Sequence, residues 1–141
     1  MKSLQSVILN EGLETLGIDE RSLHQFTYCG VFLESGLKKV RFPSTLKVIR
    51  NDAFMCCGNL KSVRFPDGLV EICLRAFRES ALESITIPLS VRTIHQSVFY
   101  KCRNFRKAVL NEGLEALGTD EYPYGDGGWQ RVFDESSLES V

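Results

Sequence analysis

The sequence predicts a repeat solenoid: a right-handed coil with a parallel sheet of short strands on one face and short strands or 3₁₀ or helical turns on the others. Three observations carry this expectation. An L-x-x-V-x-F-P-like string recurs, with starts at Leu4, Leu37, Leu60, Leu82, Phe105 and Leu138, spaced by 33, 23, 22, 23 and 33 residues. Every full unit repeats the same ordered set of apolar positions, corners and small residues. A unit of this length also buries too few large side chains to offset the entropy of ordering its backbone, so only stacking on neighbours stabilises it.

The elements of a unit follow in order. Three residues after the start stand Val7, Val40, Val63, Ile85, Ala108 and Val141, and two further stand Leu9, Phe42, Phe65, Ile87 and Leu110. This period of two is that of a strand with one buried face. Pro43, Pro66 and Pro88 then end the strand, with Asn10 and Asn111 in their place in the long units; both residue types turn the chain. A second inward-facing side follows, with Leu13, Leu46, Leu69, Val91 and Leu114, and three residues later Leu16, Ile49, Ile72, Ile94 and Leu117. Each unit closes on a small residue and a phenylalanine: Val31-Phe32, Ala53-Phe54, Ala76-Phe77, Val98-Phe99 and Val132-Phe133. A short helical or 3₁₀ turn that buries the ring is expected there.

The string Leu60–Ala81, LKSVRFPDGLVEICLRAFRESA, and its partner at Leu82–Asn104 resemble the BspA-like leucine-rich repeat. The diagnostic parts are the strand ending in proline, the hydrophobic pair three apart, and the A-F turn followed by a small residue such as Cys57, Ser80 or Cys102. Leucine or valine stands where the common leucine-rich pattern has asparagine, so an asparagine-ladder horseshoe is not expected. The resemblance implies a solenoid of the kind found in bacterial surface proteins and unicellular eukaryotes, associated with adhesion and protein binding. Function is carried over from a fold only by analogy.

One array over 1–141 is expected, with long loops at about 18–30 and 119–131. Residues Leu9–Glu20 and Leu110–Glu121 match at ten of twelve positions across an offset of 101, so a four-coil superrepeat starts a second cycle. The chain opens and closes in the same phase and carries no polar capping repeat, which suggests a piece of a longer array. Self-association through uncapped ends, with an exposed apolar edge at Leu138–Val141, is therefore expected.

Composition bounds the function. Seventeen basic against eighteen acidic residues give a net charge of -1, so no global field steers the chain to nucleic acid or an anionic membrane. The amino terminus lacks the apolar core of a secretory signal, and no apolar run suffices to insert into a bilayer. Five cysteines, odd in number and unevenly spaced, do not make a disulfide framework and point to a reducing compartment.

No catalytic motif, cofactor fingerprint or metal site is predicted. Nothing shows C-x-x-C spacing, and Cys57 and Cys102 read as buried structural thiols. His95 follows inward-facing Ile94 where sister units carry Arg50 or Cys73, a position with no evident chemical task. The candidate surface is instead the outward side of the strands, where Lys39, Arg41, Arg64 and Lys107 give a basic centre suited to an acidic protein. The plainer reading is a solvated face whose charges discourage edge pairing. In the loops, Tyr28, Tyr122, Tyr124 and Trp129 serve either as contact anchors flanking a partner or as covers folded over their own coils. The whole reads as a non-catalytic interaction or adhesion module, or alternatively as a structural spacer with no dedicated ligand.

Overall fold

The computed structural model describes residues 3–17, 30–118, 132–133 and 136. These residues form a stack of coils, each with one or two short strands and a corner of turns. On the first side lie β1 (Ser6–Ile8), β3 (Lys39–Arg41), β6 (Ser84–Thr86) and β8 (Lys107–Val109). On the second lie β2 (Thr15–Leu16), β4 (Val48–Ile49), β5 (Glu71–Ile72), β7 (Thr93–Ile94) and β9 (Ala116–Leu117).

The second side is the continuous one. All five of its strands pair in parallel in the order β2-β4-β5-β7-β9, with Leu16, Ile49, Ile72, Ile94 and Leu117 in register. The first side departs from the expectation of an unbroken ladder. β1 pairs β3 with Val7 opposite Val40, and β6 pairs β8 with Ile85 opposite Ala108, but residues 62–64 between them form no strand. The Phe42 and Phe65 rings that follow the second and third segments stack 6.1 Å apart. On this side the two rings bridge the unpaired stretch, while backbone hydrogen bonds join the same coils on the other two sides.

The third side corrects the expectation of helical or 3₁₀ turns: no helix of either kind forms among the described residues. The second, third and fourth units instead each carry two left-handed residues four apart, and the first carries one, Glu34. Asp52 and Cys56 have φ of 58° and 59°, Arg75 and Glu79 56° and 57°, and Ser97 and Lys101 58° and 56°. The cause lies in where the amides go. Ala53, Met55 and Cys57 donate back to Arg50, Asp52 and Phe54, closing tight turns, whereas Asp52, Phe54 and Cys56 donate to Leu74, Ala76 and Arg78 of the next coil. A helix commits every amide to its own segment; alternating turns leave every second one to bond the neighbouring coil. The left-handed residues, costly for an L-amino acid, are the backbone condition for that ladder.

The core runs the length of the stack. Leu37, Leu46, Ile49, Leu60, Leu69, Ile72, Leu82 and Ile94 are fully buried. Phe32, Phe54, Phe77, Phe99 and Phe133 form one column, with successive centroids 5.3, 5.0, 5.9 and 5.5 Å apart and planes within 19°. Three residues on from these rings stand Ser35, Cys57, Ser80 and Cys102, all buried. The Cys57 thiol donates to the Phe32 carbonyl at 3.1 Å and lies 3.4 Å from Ser35 Oγ; Cys102 repeats both contacts with Phe77 and Ser80. The four described cysteines are free thiols. Burial pushes the Cys57 thiol up and the Cys102 thiol up to about 11, as desolvation disfavours a thiolate.

Corners are fixed by specific polar contacts. Asn111, standing where sister units have proline, donates its amide to the Pro88 and Val91 carbonyls at 2.6 and 3.1 Å. Glu11 accepts from the Ser44 amide and hydroxyl at 3.0 and 2.7 Å. At the third side, the Asp52 carboxylate is fully buried and accepts from Arg75 Nε at 2.7 Å and Nη2 at 3.1 Å.

Candidate partner-binding face

Alternation along the first-side strands sends every second residue outward. Across five coils the outward pairs are Ser6 and Ile8, Lys39 and Arg41, Ser62 and Arg64, Ser84 and Thr86, and Lys107 and Val109, all exposed. Four of these positions are cationic and none carries a carboxylate. The register sets Lys39 beside Ser6, Arg41 beside Ile8, and Lys107 beside Ser84. Lys39, Arg41 and Arg64 are thus gathered on the second and third coils, while Lys107 stands apart beyond the hydroxyl-bearing fourth. Ile8, 70% exposed, and Val109, 41% exposed, close the row at either end.

The electrostatics of this face are those of an open surface. The Lys61 ammonium lies 3.8 Å from Glu83 with both side chains largely exposed, a rim pair worth little. Arg41 is near enough to Glu11 to help lower the pKa of that carboxyl, although the chief cause is its hydrogen bonds from Ser44. Tyr28, Tyr122, Tyr124 and Trp129, the loop aromatics expected to flank a partner, lie outside the described residues. The expected apolar edge at 138–141 does too.

A second group escaped the sequence reading. On the second side, His95 Nε2 lies 2.6 Å from Glu71 Oε1, and Cys73 joins them, the three ligand-type atoms all lying within 4.8 Å of one another. The period-two spacing Glu71-x-Cys73 puts both on one side of a strand, and one unit length added to Cys73 gives His95. That two-part spacing is the signal, and it shows only when the chain is read across coils. No helix among the described residues is long and apolar enough to cross a membrane.

Comparison with known proteins agrees with this architecture. The sequence matches the family described as BspA type leucine rich repeat region, in six copies over residues 25–123. A leucine-rich repeat protein from Bacteroides ovatus ATCC 8483 has a similar structure, with a TM-score of 0.64 and 24% identity over 80% of this chain. The match spans 27% of that longer protein and bears on the fold. A leucine-rich repeat protein from T. pallidum aligns over 54% of this chain and 47% of its own, at 25% identity and a TM-score of 0.43. No curated protein matches. With the family matched over most of its length and its coils stacked in register, the chain belongs to the BspA type leucine-rich repeat family.

Proposed function

We propose that this chain is a non-catalytic protein-interaction or adhesion module whose first-side strands receive an acidic protein segment with apolar residues at its margins. The observation that carries the reading is the contrast between the whole and the face. A chain of net charge -1 exposes ten outward positions on its first side with four cations, no anion and an apolar residue at each end. Like charges repel by about 1 kcal/mol at contact distances in water, and an acidic partner relieves that repulsion. Complementary charge also speeds encounter and rejects wrong partners. The loop residues Tyr28, Tyr122, Tyr124 and Trp129 extend the reading as aromatic contacts beside the face.

The test compares proteins captured from source lysate by the unaltered chain and by the Arg41→Glu, Arg64→Glu double variant, quantified across a salt series. The reading expects acidic proteins that are released as salt rises and lost with the double variant. Equal capture by both would defeat it. The spacer reading draws support from the 101-residue internal period and from the fraction of the Bacteroides protein that the chain spans; it expects no capture that depends on these residues.

A further inference from the structure

We propose that Glu71, Cys73 and His95 form a transition-metal site of zinc type that clips the third coil to the fourth. The donor set is mixed, a carboxylate, a thiol and an imidazole, which is the combination that suits a borderline-soft divalent ion better than calcium or magnesium. The three ligand-type atoms already lie within 4.8 Å of one another. Ligands about 2.0–2.3 Å from zinc in a tetrahedron are roughly 3.3–3.8 Å apart. Small side-chain rotations bring the group to that spacing, and the ion takes the place of the 2.6 Å His95–Glu71 hydrogen bond.

The backbone beneath the site is fixed on both coils. Glu71 pairs with Thr93 and Ile72 with Ile94 in the continuous sheet. The His95 amide donates to Ile72 at 3.0 Å and the Cys73 amide to Ile49 at 2.8 Å. Two of the ligands therefore sit on one strand segment and the third on its paired neighbour, held by a ladder that needs no metal to form. The burial is graded in a useful way. Cys73 is buried, while the Glu71 and His95 side chains are 34% and 23% exposed, so an ion enters from the solvent side with the thiol at its back. Three protein ligands leave a fourth position for water.

Cobalt(II) is the probe, because it adopts the same geometry as zinc and reports thiolate ligation by a charge-transfer band in the near ultraviolet. Titration of the full chain is expected to saturate at one ion per chain, with that band and the intense visible bands of a tetrahedral site, and zinc(II) should displace it. Cys73→Ser should abolish the charge-transfer band, and Glu71→Gln or His95→Gln should weaken binding at least about tenfold. Cys56→Ser is the control and should change nothing. Circular dichroism confirms folding of each variant; Glu71→Gln and His95→Gln, at part-exposed positions, keep the test decisive if the cysteine variant unfolds. A second readout is the thermal midpoint, which zinc should raise in the unaltered chain and not in His95→Gln. Absence of saturable binding, or binding that survives both Cys73→Ser and His95→Gln, overturns the site. Neither result bears on the basic face, which lies on the other strands.

Discussion

Phe77→Ala removes the central ring of the phenylalanine column and tests whether neighbour stacking holds the array together. The ring is fully buried and makes three aromatic contacts: stacked on Phe54 at 5.0 Å and on Phe99 at 5.9 Å, and edge-on to Phe65 at 5.7 Å. Truncating a buried phenylalanine costs about 3–5 kcal/mol, and ring pairs contribute ~0.5–1.5 kcal/mol each beyond area. With three such pairs lost, the upper end, about 5 kcal/mol, is expected. Phe77→Leu keeps most of the buried area and forfeits the ring contacts, so it should cost about 1.5–4.5 kcal/mol on the same basis. Urea unfolding followed by circular dichroism measures both. Because each coil touches only its neighbours, the alanine variant should also uncouple the two halves and lower the apparent m-value. A loss below about 1 kcal/mol with an unchanged slope would refute the idea that these rings carry the coupling between coils.

Removing the guanidinium with Arg75→Ala leaves the buried Asp52 carboxylate without its bidentate partner, and a thermal melt should show a loss of about 3 kcal/mol; adding Asp52→Asn should recover part of it. The lowered pKa of Glu11, caused by donation from the Ser44 amide and hydroxyl, makes its contribution to stability complete above its ordinary value of 4.5. That contribution disappears as pH falls through the lower folded value, and Glu11→Gln should flatten this part of an acid titration of stability. Native-state alkylation mapped by mass spectrometry should label half-buried Cys56 before Cys57 or Cys102, whose thiols are buried; burial raises all three thiols, so access decides the order, and equal labelling would contradict the closed slot. Glu34→Gly, at an exposed left-handed position with φ of 54°, should raise stability by a few tenths to ~1 kcal/mol in chemical denaturation, since relief of strain exceeds the added chain entropy.

Much of the fold was legible because its signals are periodic and apolar. Ile49, Ile72 and Ile94 recur one unit apart and fall in register in the continuous sheet, and the small slot read at Cys57 and Cys102 is buried. The outward alternation that exposes Arg41 and Arg64 follows from the same period. The turns of the third side were not legible. Their left-handed positions hold Asp52, Arg75, Ser97, Cys56, Glu79 and Lys101, with no glycine to announce them, and the conformation is imposed by bonds to the next coil. The gap in the first-side ladder escaped because Ser62-Val63-Arg64 reads like its paired sisters. His95 was set aside because its equivalents differ from coil to coil. A site shared between coils needs unlike residues at like positions, so comparison of equivalents alone hides it.

The unpaired segment at 62–64 has a mechanical meaning. On the first side no backbone hydrogen bonds join the second coil to the third among the described residues, whereas the opposite side is laced by β4 and β5. A bend that opened the first side at that seam would change the distance between Arg41 and Arg64 without breaking a first-side ladder, because the two coils share none there. The local curvature of the array would thereby tune the spacing of the cations this face exposes.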